Sequence, residues 1–242
     1  AQTAWFNQPY VGTTDFHGHP LTEPKLLSEL ITGADSANLR VAIHGIGDKA
    51  IHEVLSIFQR LDSANSGQKR FRIEHFQHPN QQSITQLSQL KVIASMQPYH
   101  AIDDGRWAEE KIGAKRIKTT YAFKSILDAG GILTFGSDWP VAPLSPLEGV
   151  YAAVTRRTTD DKNPEGWIPT EKISVEQALH AYTAANAYAG FEEDTAGTLA
   201  VNKRADMVVL SADPRHVQPQ DIPDIKVLQT IIDGEVVYQQ SN

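Results

Sequence analysis

The chain has 242 residues, 40% hydrophobic and 21% charged, enough to bury the core of one barrel-sized domain or of two smaller ones. Its 29 acidic and 22 basic residues leave a net charge of −7 with no basic run, which argues against nucleic acid as a partner. No run of about 18 apolar residues is present to span a membrane, and zero cysteines exclude disulfides and thiolate ligands while leaving the compartment open between cytoplasm and periplasm.

Residues 1–20 lack a period and are rich in Gly, Thr and Pro. They contain His17-Gly18-His19, and alternating histidines on a strand can both face a metal. A loop fits better here. Residues 11–16 (VGTTDF) are not an apolar strand. Only 25 residues separate His19 from His44, where three further strands of a β/α barrel would need about 90. Residues 22–37 predict a helix, with Thr22 as cap and Pro24 in the first turn.

Residues 39–44 (LRVAIH) form a buried-strand run that ends in His44. Gly45-Ile46-Gly47-Asp48 then turns into a helix with Ile51, Val54, Leu55 and Phe58 on one face. Its glycines complete neither a phosphate loop nor a dinucleotide fingerprint. His52 is expected on the helix surface. Residues 71–75 (FRIEH) repeat the pattern and end in His75. Glu74 should point to the opposite face, and His78, before Pro79, is expected at a loop surface. A helix at 80–90 and a strand at 91–96 (KVIASM) follow. Tyr99 and His100 then sit at the strand's mouth, where His100 is either a hydrogen-bond donor to substrate or a loop histidine.

Residues 101–113, with Asp103, Asp104, Arg106 and Trp107, read as a polar loop long enough to act as a lid. A helix over 115–129 ends at Gly130-Gly131. Residues 132–135 (ILTF) are again a buried strand, and Gly136-Ser137-Asp138-Trp139-Pro140 follows. Asp138 is either a catalytic strand-end acid or a cap for the next turn. Helices are expected at 146–156, 174–183 (Ser174 and Gln177 forming a capping box) and 184–189. Strands are expected at 205–210, 227–232 and 235–238, the last two joined by Asp233-Gly234, a strong hairpin signal.

The spacing ties the strand ends together. His44 and His75 are 31 residues apart, and Asp138 lies 63 beyond His75. A β/α barrel of about 250 residues spends roughly 30 on each of its eight units. Four successive strands therefore end in His, His, a polar residue and Asp. Two imidazoles and a carboxylate at one end of a parallel sheet suit a divalent metal.

The stretches VAIHGIGDKAI (41–51), RIEHFQ (72–77), SMQPYH (95–100), FGSDWPV (135–141) and GTLAVNKRADMVVLSADP (197–214) carry a family resemblance. The sequence resembles the amidohydrolase superfamily and, within it, the third amidohydrolase family, which includes N-substituted formamide deformylase. The resemblance implies an α/β fold: the C-terminal half of a TIM-type (β/α)8 barrel, strands 5 to 8, in residues 1–197. Residues 198–242 would supply part of a small β-sandwich. It implies His44, His75 and Asp138 as metal ligands, one or two ions that are most often zinc, and Asp138 as the catalytic proton carrier. The His-x-His of strand 1 and the ligand of strand 4 are missing, so residue 1 would lie just beyond strand 4.

The implied activity is hydrolysis of an amide-like, non-peptide C–N bond in a small-molecule substrate by metal-activated hydroxide. Tyr99, His100, Arg106 and Trp139 are the expected substrate contacts. The alternatives are an inactive or accessory binding piece, and a deaminase or phosphotriesterase-like reaction on the same scaffold. A half barrel would have open strand edges at 39–44 and 132–135. The expected remedies are a homodimer, pairing with the missing N-terminal half, or residues 1–20 folding back over one edge.

Overall fold

The structure, a computed structural model, describes residues 3–64 and 66–241. It is organised by one parallel sheet. Strands β1 (Ala42–Gly45), β2 (Arg72–His75), β3 (Ile93–Met96) and β4 (Ile132–Phe135) lie side by side in chain order. The register is regular: Ile43 pairs with Ile73, Ile73 with Ala94, and Ala94 with Leu133. Ile93, Ala94 and Met96 of β3 are fully buried, as a strand covered on both faces requires.

Helices make the crossovers. Helix α1 (Pro24–Ser36) precedes β1, and α2 (Asp48–Leu61) joins β1 to β2. Ile51, Val54, Leu55 and Phe58 of α2 fall on one face at helical spacing and are all buried. Phe58 stacks on Phe71 with centroids 4.4 Å apart. Helix α3 (Gln81–Gln89) joins β2 to β3, capped by the Asn80 side chain, which accepts from the Ser83 amide at 2.8 Å. Thr22 does not cap α1; Glu23 occupies that position without a side-chain bond.

The segment between β3 and β4 departs from expectation. The anticipated lid loop is largely helical, as α4 (Pro98–Asp104) and α5 (Ala108–Arg116). Pro98 sets the first turn of α4, and Glu109 and Glu110 sit where the dipole of α5 favours acids. The single helix expected over 115–129 is instead broken. α5 ends at Arg116, a single 3-10 turn follows over Ile117–Thr119, and Tyr121 at φ 51° breaks the path, leaving α6 (Phe123–Asp128) as a separate helix.

After β4 come α7 (Pro146–Thr155), α8 (Val175–Tyr182) and α9 (Ala184–Gly190). The capping box of α8 forms between Ser174 and Gln177. Asn186 donates to the Phe135 carbonyl at 2.9 Å, satisfying an acceptor on the side of β4 that has no strand neighbour. The carbonyls near the end of α9 accept from Arg40 and Arg70, whose guanidiniums lie over the Phe191 ring. A second, antiparallel sheet holds β5 (Met207–Leu210), β6 (Val227–Ile232) and β7 (Glu235–Gln239), with β6 in the middle. The turn between β5 and β6 sends Ile222 and Ile225 into the main core. Among the described residues no helix is long and apolar enough to cross a membrane.

Residues 3–20 form a strap. The amides of Phe6 and Tyr10 donate to the His17 and Phe16 carbonyls, both at 2.8 Å. Phe6 and Tyr10 are buried and meet edge to face at 5.3 Å. The strap rests on the start of α2, where the Lys49 and Ala50 amides donate to the Trp5 carbonyl. It also rests on Arg116, which donates to the carbonyls of Gln8 and Pro9 at 3.0 and 2.9 Å. These contacts hold it across the carboxyl end of the sheet rather than along an edge strand. Gly47 permits the close approach: at φ 96°, any Cβ there would stand 2.4 Å from the Trp5 oxygen.

Arg156 is the largest fully buried side chain among the described residues. It donates to the carbonyls of Trp167 at 2.7 Å, Tyr121 at 2.8 Å and Thr120 at 3.2 Å, tying the end of α7 to the loop that follows it and to the segment just before α6. Burial lowers its pKa to about 10. Replacing it by methionine keeps the volume but strands three buried acceptors. Urea denaturation of Arg156→Met should show a loss of about 3 kcal/mol or more; a loss under about 1 kcal/mol would contradict the clamp.

Candidate metal centre

A parallel sheet sends every strand's carboxyl end to the same edge, and three side chains meet there. His75 ends β2, His100 lies in the first turns of α4 just after β3, and Asp138 follows β4. Each offers a ligand atom, and these atoms lie within 4.8 Å of one another. His100 Nε2 is 3.8 Å from Asp138 Oδ2. The His75 and His100 rings are nearly parallel, with centroids 6.1 Å apart. His75 at φ 72° and Asp138 at φ 59° leave the extended conformation, so the chain turns at the end of β2 and again three residues beyond β4.

His44 stands beside this trio rather than in it. Its ring is 4.6 Å from that of His75, edge to face. The surrounding walls first, and His75 second, hold its pKa below the usual histidine value against the pull of Asp138 and Glu74. Burial likewise lowers His100, with Asp138 opposing and His75 reinforcing. Both shifts favour neutral imidazole, the metal-binding form. The fit to a cation is specific at one atom: His100 Nε2 is buried and has no hydrogen-bond partner. A ring nitrogen in that state, facing a carboxylate and a second imidazole, is where a divalent ion would be held.

The trio opens into a cavity of about 1080 Å³. Tyr99, His100 and Trp139 line it. Trp139 is 65% exposed at the lip. Arg106 does not line it: its guanidinium is held by the carboxylate and carbonyl of Asp103 on the exposed side of α4. The strap supplies a wall through Trp5, Phe6 and His19. Nothing periodic in residues 3–20 announces that role. His17 accordingly bonds within the strap, to the Phe6 carbonyl and to Asp15.

A buried polar network adjoins the trio, and the sequence does not reveal it. Asp104 accepts from the Gln77 amide and from the Tyr121 hydroxyl, the latter at 2.5 Å. Burial raises the Asp104 carboxyl to about 6 although the Tyr121 bond opposes the shift. His78 is the clearest correction: instead of lying at a loop surface it is buried, 7% exposed. Its Nε2 faces the Gln77 amide nitrogen at 3.3 Å, so Nδ1 carries the proton toward Thr120 Oγ1 at 3.0 Å.

The comparisons with known proteins agree with this architecture. The profile of the amidohydrolase family matches residues 1–238, and the chain belongs to that family. It is 38% identical over 240 residues to Protein LONG AFTER FAR-RED 3 of Arabidopsis thaliana, covering 98% of this chain and 41% of that one. It is 27% identical over 217 residues to the N-substituted formamide deformylase of Arthrobacter pascens, covering 88% of this chain and 39% of that one. An uncharacterized metal-dependent hydrolase from Pyrococcus horikoshii OT3 superposes with a TM-score of 0.80 at 31% identity, over 90% of this chain and 43% of that one. The chain thus spans about two-fifths of the length of these curated relatives, 41% and 39%.

His78 makes a prediction about acid. Burial, reinforced by Arg116, pushes its pKa from 6.5 to about 3. Between those values the unfolded chain binds a proton that the native state refuses, so stability falls as pH falls. His78→Asn keeps the bond to Thr120 but cannot titrate. The unfolding free energy of the native protein relative to this variant should drop by about 1.4 kcal/mol per pH unit below 6.5 and stay level above it. Parallel curves for the two proteins across that window would refute the assignment.

Proposed function

We propose that the chain carries the metal centre of a hydrolase that cleaves an amide-like, non-peptide C–N bond. The carrying observation is the cluster of His75, His100 and Asp138 around the unpartnered His100 Nε2. On this reading the chain is a member of the third amidohydrolase family. Residues 1–197 are the C-terminal half of a TIM-type barrel, and 198–242 are part of a small β-sandwich. The ligand set extends the expected one. His75 and Asp138 hold the ion with His100, and His44 serves the same ion or a second one beside it. Two imidazoles and a carboxylate suit zinc.

A divalent metal held there supplies Lewis acidity, acidifying water and polarising a carbonyl. The residues of the chain do the rest. Asp138, exposed at the cavity floor, takes the proton from the attacking water and delivers it to the leaving nitrogen. Tyr99 and Trp139 hold the substrate against the trio, and the strap covers it from above. Arg106 has no part in this reading, because Asp103 occupies its guanidinium. With only the trio and His44 as ligands, and Asp138 exposed, residues 1–242 are expected to bind zinc weakly and to turn over slowly.

The test is zinc titration followed by an amide panel. Zinc affinity should fall by more than about tenfold in each of His75→Ala, His100→Ala and Asp138→Asn. Release of amine from simple N-formyl and N-acyl amines should require zinc and vanish in Asp138→Asn. Affinity unchanged in His100→Ala would break the trio, and chelator-resistant amine release would remove the metal mechanism.

A further inference from the structure

His75 has two ring nitrogens, and one of them is already engaged. Its Nδ1 lies 2.8 Å from Gln97 Oε1. Gln97 is 5% exposed at the start of α4, and its own carbonyl accepts from the His100 amide at 3.1 Å. One residue thus touches the supports of two members of the trio, and neither the family match nor the strand-end pattern gives it a role.

The orientation of the Gln97 amide follows from its other contact. Its Nε2 faces the Ser95 carbonyl at 3.4 Å. A carbonyl accepts only, so the amide nitrogen belongs on that side and the oxygen belongs toward His75. The reverse placement would set two acceptors against each other inside a buried site. An amide oxygen also accepts only, so His75 Nδ1 must carry the hydrogen. Nε2 is then the nitrogen with a free lone pair, the form a metal ligand requires.

Ring direction is fixed at the same time. His75 leaves its strand at φ 72°, and Phe76 follows at φ 44°, so strand geometry does not aim the imidazole. The bond to Gln97 does. Glutamine is also a neutral acceptor.

We propose that Gln97 is the positioning residue of the metal centre, its side-chain carbonyl holding the proton on His75 Nδ1 and keeping Nε2 free for the ion. This rests on His75 being a ligand, as argued above. Two measurements separate the ideas: the His75 tautomer in the metal-free protein, by long-range proton–nitrogen NMR, and zinc affinity, by competition with a chromophoric chelator. The variants are Gln97→Met, which removes the acceptor at similar volume, and Gln97→Glu, which keeps it.

The native protein should show the Nδ1–H form. Gln97→Met should lose that form and bind zinc about 10- to 100-fold more weakly, while Gln97→Glu retains the tautomer and recovers most of the affinity. The proposal is overturned if Gln97→Met keeps the Nδ1–H form, if it binds zinc within about twofold of the native protein, or if Gln97→Glu falls as far as Gln97→Met. Should the native protein bind no zinc at all, the ligand reading fails, and the tautomer comparison still decides the role of Gln97.

Discussion

Parallel strand pairing is the constraint on which the site depends. In a parallel sheet with unbroken register every strand delivers its carboxyl end to one rim. Ile43, Ile73, Ala94 and Leu133 lie in adjacent positions across β1 to β4, so residues just beyond them emerge as neighbours. His75, His100 and Asp138 are far apart in sequence and meet only because this register holds. Their convergence concentrates two imidazoles and a carboxylate where burial keeps His100 neutral and leaves its Nε2 unpartnered.

The rim is closed by parts that lack a repeat of their own. The strap is held through backbone carbonyls and amides, with Gly47 allowing the approach of Trp5. Arg156 anchors the far side by binding three carbonyls of irregular segments. Between them the cavity has apolar walls and a polar floor, the usual form of a small-molecule site. The network of Gln77, His78, Asp104 and Tyr121 buttresses that floor, and each member's hydrogen bonds fix the next.

Much of this was legible in the sequence where periodicity and burial agree. The runs ending in His44, His75, Met96 and Phe135 are short, apolar and bounded by turn residues, and each became a strand, the first three starting one to three residues inside the expected limits and the fourth at Ile132 as expected. Ser174 and Gln177 announced their capping box because its chemistry is local. What stayed hidden depends on contacts distant in the chain. His78 looks like a loop residue until Thr120, 42 residues away, meets it in the interior. Residues 101–113 are polar enough to read as a loop, yet α4 and α5 bury Ala101, Ile102, Ala108 and Ile112 on one side. Arg106 was legible as a charge in a polar segment beyond β3 but not as the partner of Asp103. Gln97 was visible at a strand end, but its pairing with His75 across neighbouring strands was not.

Anomalous diffraction at the zinc edge on crystals of the zinc-loaded protein tests the centre most directly. The account predicts a peak within about 2.0–2.2 Å of a nitrogen on each of His75 and His100 and of an Asp138 oxygen, with His75 coordinating through Nε2. A peak that leaves out His100 or Asp138, or coordination through His75 Nδ1, would contradict it.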